Sequence, residues 1–242
     1  MRKVTIVIML CLLSGMAGLT AQNLSQQAHK YTGRYTKPYS LNYLLYQPEQ
    51  YIKDKGGEWP LLVFLHGSGE RGADLEKVKV HGPPMLIAGG RQFPFFVLSP
   101  QCPEGQDWDA EALHTLIGYI VDNYPIDEKR VYLTGLSMGG KGVWDLAFAH
   151  PDDYAAIVPV CGRVDRNYAD RAAELGDMAV WVFHGAMDDV VPIAPAARMV
   201  NKLQEAGNKA KFTIYPEAGH DSWTDTYNNP LLYEWLLEQK CK

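Results

Sequence analysis

The chain has 242 residues, 47% of them hydrophobic and 21% charged, with 23 basic against 28 acidic side chains for a formal charge of −5. That length supports one substantial core, and the composition excludes a disordered or low-complexity chain. The acidic balance does not suit a nucleic-acid partner or an anionic membrane surface.

Met1-Arg2-Lys3 precedes the apolar run Val4 to Leu13 and then small residues through Leu19-Thr20-Ala21, the pattern of a secretory signal peptide cleaved after Ala21. The apolar stretch is too short for a membrane span, and no other segment reaches about 18 consecutive apolar residues. The expected organisation is a signal peptide over 1–21 and a single domain over 22–242, exported to the periplasm or the exterior. Cys11 leaves with the peptide, and loss of Arg2 and Lys3 moves the charge from −5 to −7. Export permits an oxidised pair among Cys102, Cys161 and Cys241. Cys102 and Cys161 both follow predicted strands and are either bridged or buried as free thiols.

Residues 30–47 carry aromatic and polar residues at strand spacing around Pro38 and Tyr39 and predict two short strands joined by a turn. After the polar loop Gln50 to Glu58 comes Pro60 to Leu65, a continuous apolar run of the kind required by a parallel strand buried on both faces. Further runs are Pro94 to Leu98, Val131 to Leu133, Ala155 to Val160, Ala179 to Phe183 and, more weakly, Lys211 to Tyr215. Helical periodicity marks Glu111 to Tyr124, Gly140 to His150, Pro195 to Ala206 and Pro230 to Gln239. Alternation of this kind specifies an α/β fold, a mostly parallel central sheet with helices on both faces. Only about 18 residues separate Val160 from Ala179, so no large cap domain is expected. Sites in such sheets collect beyond the carboxyl ends of the strands.

Gly135-Leu136-Ser137-Met138-Gly139 stands at such an end, after a predicted strand and before a predicted helix. This is the setting of a nucleophile elbow, in which glycines on either side let the serine hydroxyl project from a sharp turn. A serine alcohol needs a base within hydrogen-bond reach, itself oriented by an acid. In chain order the acid precedes the histidine. His220 follows the last predicted strand, and the loop after the strand before it offers two adjacent acids, Asp188 and Asp189. An oxyanion hole needs two amides; one is that of Met138, immediately after the serine.

These segments resemble the α/β-hydrolase superfamily. The likeness is to small esterases similar to dienelactone hydrolases, acyl thioesterases, secreted feruloyl and acetyl-xylan esterases and polyester depolymerases. It extends from the Tyr43 to Tyr46 strand to the C-terminal helix. It rests on His66-Gly67-Ser68-Gly69-Glu70-Arg71-Gly72, on Ser99-Pro100-Gln101-Cys102-Pro103, on the elbow continued through Gly140 to Ala147, and on Gly219-His220. The resemblance implies an α/β-hydrolase fold and, through the His-Gly-x-x-Asp-x-x-Val-Pro pattern of residues 184–192, Asp188 as the acid. It also implies the Ser68 amide as the second oxyanion donor.

No metal-ligand spacing stands out, so neither metal nor cofactor is expected. His66 and His184, each between a strand and a glycine, are expected to brace their loops. His29, His81, His114 and His150 are expected to be surface or locally satisfied residues. Trp108 and Trp223 fall in loops at the site end and are expected to line a pocket for an aromatic acyl group or a sugar face. Glu70 and Arg71 are expected to form an ion pair that shapes the oxyanion loop. The resulting reading is a secreted serine carboxylic ester hydrolase forming an acyl-enzyme at Ser137, acting on acyl groups of plant polysaccharides or related esters. A serine peptidase of the same fold and a non-catalytic carbohydrate-binding protein are the alternatives.

Overall fold

The structure is a computed structural model that describes residues 26–34, 38–53 and 56–241. The expected signal peptide and its cleavage point lie outside them. Eight strands form one sheet in the order β1-β2-β4-β3-β5-β6-β7-β8. They are β1 (Gln27–Arg34), β2 (Pro38–Tyr46), β3 (Trp59–Leu65), β4 (Phe96–Gln101), β5 (Ile126–Leu136), β6 (Ala156–Val160), β7 (Ala179–Gly185) and β8 (Lys211–Tyr215). β2 runs antiparallel to β1 and β4, and every pairing from β4 through β8 is parallel. The chain builds outward from β3 to β4, then returns to lay β5 on the other flank of β3. That reversal opens a crevice at the carboxyl ends of β3 and β5.

The continuous apolar runs bury both faces. Leu61, Val63 and Leu65 join one cluster, and their neighbours Leu62 and Phe64 join the other. On the first face lie α3 (Ala110–Asn123), α4 (Met138–Ala149) and α5 (Ala194–Glu205), packing Leu113, Leu116, Trp144, Ala147, Met199 and Leu203. On the second lie α2 (Gly82–Ala88), α6 (Trp223–Asn228) and α7 (Pro230–Leu237), packing Ile87, Tyr227, Leu232 and Leu236. The two halves of the carbon skeleton thus sandwich the sheet, as the alternation of runs anticipates. Between β6 and β7 the chain makes only a short 3-10 stretch, Ala169–Leu175, and no large cap.

Three differences from the sequence reading have local causes. β5 begins at Ile126, earlier than its apolar signal, because Asp127 to Arg130 are polar and shift register against β3; Asp127 accepts from the Lys129 amide at 3.0 Å and from Arg130 Nε at 2.7 Å. A short helix, α1 (Glu49–Lys53), occupies the expected loop after β2. The segment after His220 continues as α6, six mostly polar residues without a visible apolar period. Cys102 and Cys161 are free thiols, one in each core cluster and so on opposite faces of the sheet. Of the two alternatives left by the sequence, the unbridged one holds.

Candidate active site

Three strand ends supply the group. β5 runs into Ser137, which has φ 52° and ψ −113°, and α4 begins at the next residue. A non-glycine residue at positive φ is costly, on the order of 1–3 kcal/mol, and persists only where its surroundings enforce it. Here the Ser137 amide donates to the Val160 carbonyl at 2.9 Å. The elbow is also packed too closely for side chains: a Cβ on Gly135 would lie 2.6 Å from the Gly139 backbone, and one on Gly139 would overlap the Leu65 carbonyl. Ser137 is therefore held out at the tip of the turn.

The loops after β7 and β8 are tied to each other before they meet the serine. Ala186 donates to the Tyr215 carbonyl at 2.9 Å and Met187 to the Ala218 carbonyl at 3.0 Å. This brings His220 Nδ1 within 2.8 Å of Asp188 Oδ2 and His220 Nε2 within 2.9 Å of Ser137 Oγ. The Asp188 carboxylate is fully enclosed. Its Oδ1 accepts from the Val190 amide at 3.0 Å and the Val191 amide at 2.8 Å, and its Oδ2 lies 3.2 Å from His184 Nε2. Burial acts to raise its pKa, but the hydrogen bonds from His220, Val191 and Val190 outweigh burial and hold it below the ordinary carboxylate value. Asp189 is exposed and takes no part in this chain of bonds.

With Asp188 ionised and accepting, the ring proton of His220 sits on Nδ1 and the Nε2 lone pair faces the Ser137 hydroxyl. The arrangement can take a proton from the serine oxygen and stabilise the imidazolium that results. Ser68 opens a 3-10 turn, Ser68–Glu70, and Met138 opens α4. First-turn amides lack an intrahelical acceptor, so both stand ready to donate elsewhere. Gly67 and Gly139 bring the two loops together, the first against Leu136 and the second against Leu65.

His66 and His184 brace loops. His66 Nδ1 donates to the Gly67 carbonyl at 2.6 Å, and its Nε2 accepts from the Cys102 amide at 2.9 Å. Burial pushes its pKa down to about 4, so the ring is neutral. His184 Nε2 lies 2.9 Å from the Val191 carbonyl.

Two expectations need correction. Trp108 is not displayed to substrate: it is 7% exposed, its indole donates to the His66 carbonyl at 3.2 Å, and its ring fills the space left by Gly142. A loop tryptophan with an internal acceptor and a glycine to pack on becomes core. Arg71 pairs with Asp107 at 2.5 Å instead of with Glu70, whose carboxylate turns inward and lies 3.9 Å from both His66 Nδ1 and His81 Nε2. Trp223 does stand at the site, edge-on to His220 with ring centroids 5.4 Å apart and with His81 on it at 5.3 Å.

Sequence reasoning allowed Cys161 to be a buried thiol but did not place it at the site, where, at φ 42° and fully buried, its thiol lies beside Asp188 and His220. Burial pushes that thiol up to about 12, so it is inert at neutral pH. Only its place after β6 could have signalled it. Among the described residues, Cys161, Asp188 and His220 also come close enough to hold a metal ion, as do His114, His150 and Asp153. In the first group the His220–Asp188 hydrogen bond already occupies two of the three donors.

The strand order, the reversal at β3 and the positive-φ serine between β5 and α4 place the protein among the α/β-hydrolases. More narrowly, the chain belongs to the phospholipase/carboxylesterase family, whose model matches residues 49–229. It is 34% identical over 102 residues to a putative carboxymethylenebutenolidase of Methylorubrum extorquens, covering 39% of this chain and 34% of that one. It is 27% identical over 139 residues to a bifunctional acetylxylan esterase/xylanase of Neocallimastix patriciarum, covering 54% of this chain and 20% of the relative. The solved structure of a thermostable esterase superposes with a TM-score of 0.75 at 32% identity, covering 88% of this chain and 63% of the other. The matches therefore span about a third or less of these two curated relatives and less than two thirds of the solved esterase.

Proposed function

We propose that the protein is an exported serine carboxylic ester hydrolase that works through an acyl-enzyme on Ser137. The observation that carries this reading is the unbroken chain Ser137 Oγ–His220 Nε2, His220 Nδ1–Asp188 Oδ2, at 2.9 and 2.8 Å. His220 takes the Ser137 proton as Oγ attacks the ester carbonyl, and the carbonyl oxygen becomes an oxyanion held by the Ser68 and Met138 amides. Collapse expels the alcohol, which receives the proton from His220. Water then attacks the acyl carbon along the same path as His220 takes its proton, and His220 returns that proton to Ser137 Oγ as the acid leaves. Asp188 stays ionised throughout and keeps the imidazole in its working tautomer.

The substrate is an acyl group carried on a large alcohol such as a plant polysaccharide. Support comes from the lack of a cap, from the exposure of Ser68 at the rim, and from the acetylxylan esterase among the relatives. Trp223, beside His220, offers an aromatic surface to a sugar or an aromatic acyl group. A panel of p-nitrophenyl acetate, acetylated xylan, methyl ferulate, a short polyester and a peptide amide tests both levels of the reading. Release of acid from the esters but not the amide is expected, with acetylated xylan or ferulate turned over fastest. Amide cleavage at rates matching the esters would turn the reading to a peptidase, and no turnover of any ester would end it.

A further inference from the structure

A second group of histidines and carboxylates lies where α3 meets the end of α4. His114 on α3 and His150 at the C-terminus of α4 stack face to face, with centroids 3.7 Å apart and planes within 6°. Asp153, in the turn that follows, places Oδ2 3.8 Å from His114 Nδ1 and 3.7 Å from His150 Nδ1. One ligand atom from each residue lies within 4.8 Å of the other two.

The hydrogen bonds around the two rings set which nitrogens face Asp153. His150 Nε2 lies 3.1 Å from Glu111 Oε1. A carboxylate accepts, so Nε2 carries the proton and Nδ1 presents a lone pair toward Asp153. The Tyr154 hydroxyl lies 3.2 Å from His114 Nδ1. Two imidazole nitrogens and a carboxylate oxygen thus lie together at separations too long for hydrogen bonds between them. Nitrogen and oxygen atoms grouped in this way are the ligand set of a transition-metal dication.

The spacing selects the kind of cation. With two sides of 3.7 and 3.8 Å and a third no longer than 4.8 Å, the centre of the triangle lies about 2.1–2.4 Å from each corner, against roughly 2.0–2.2 Å for zinc bonds to imidazole nitrogen and carboxylate oxygen. Two nitrogen donors disfavour magnesium and calcium. The Glu111–His150 contact reproduces the carboxylate that commonly orients a ligating imidazole from behind.

We propose that His114, His150 and Asp153 form a binding site for a transition-metal dication, Zn²⁺ foremost, which clamps α3 to the C-terminal end of α4, with Glu111 as a positioning residue. The stacked rings run parallel, so binding tilts the more exposed His114 ring off the stack, and the Tyr154 hydroxyl turns away from it. The twelve residues of α4 set this site about 18 Å from the Ser137 end of the helix, and its occupancy is independent of ester hydrolysis.

The test uses the full protein without a histidine tag, stripped with a chelator and followed by calorimetric titration and thermal unfolding. One Zn²⁺ per chain is expected, with a rise in Tm that chelator reverses and that Mg²⁺ does not reproduce. His114→Ala, His150→Ala and Asp153→Asn should each weaken binding more than about tenfold, and Glu111→Gln about tenfold. Co²⁺ should give the visible absorption of a nitrogen-ligated site in the wild type and not in His114→Ala. If His150→Ala does not fold, His114→Ala decides, because that ring is half-exposed. No Zn²⁺ binding by the wild type, or binding unchanged in His114→Ala and Asp153→Asn, would overturn the proposal.

Discussion

The molecule carries two groups built from histidine and carboxylate, and they differ in spacing. At the carboxyl end of the sheet, His220 and Asp188 meet at 2.8 Å, with the acid enclosed and bonded by two backbone amides. At the far end of α4, His114 and His150 face Asp153 across 3.8 and 3.7 Å. The first spacing shares a proton and aims one lone pair at a hydroxyl. The second leaves two ring nitrogens and a carboxylate oxygen too far apart to share a proton. The same two residue types serve proton transfer in one place and cation binding in the other, and the backbone around them decides which.

Substitutions that break the first group should have the largest effects. Ser137→Ala or His220→Ala is expected to lower kcat/KM by about 10⁵-fold while leaving thermal unfolding nearly unchanged, since both side chains are at the surface of the crevice. Next, Asp188→Asn should cost about 10⁴-fold, because an amide no longer enforces the Nδ1–H tautomer. Asp189→Asn should stay within about twofold on the same assay, a difference of less than 0.5 kcal/mol. Equal losses in both would remove Asp188 from its proposed place.

A third prediction concerns the neutral histidine behind the oxyanion loop. His66 is held at about 4 in the folded chain against 6.5 as its ordinary value. The unfolded chain thus binds the proton more readily, and stability falls as pH drops from about 6.5 to about 4, by roughly 3 kcal/mol in total. Below that range the loss from His66 levels off. Urea unfolding at pH 7, 5.5 and 4 measures it, and His66→Gln should flatten the dependence. The smallest of the four is steric: Gly139→Ala, which drives a methyl into the Leu65 carbonyl, should destabilise by about 2 kcal/mol or more. A tolerated alanine would mean that the elbow is looser than its packing indicates.

Much of the fold was legible because buried parallel strands leave continuous apolar runs, and all eight strands overlap a run or the opening hairpin pattern. What escaped notice was polar or short. The charged start of β5 and the polar α6 bury little apolar surface of a recognisable period. The elbow, Asp188 and His220 were accessible as loop residues following strands, and the structure brings those side chains into one chain of hydrogen bonds. Trp108 was misread because sequence does not show that Gly142 leaves room for its ring or that the His66 carbonyl is free to accept. His114, His150 and Asp153 come from separate elements with no metal-site spacing between them, so only the packing of α3 against α4 brings them together.

Every step of the mechanism depends on Ser137 being the nucleophile. That assignment is tested most directly by reacting the purified protein with a fluorophosphonate and mapping the adduct by mass spectrometry. One label per chain is expected on the peptide containing Ser137, with none in Ser137→Ala and labelling slowed by several orders of magnitude in His220→Ala. A label on Ser68 or another residue, or a wild-type protein that takes none, would contradict that assignment.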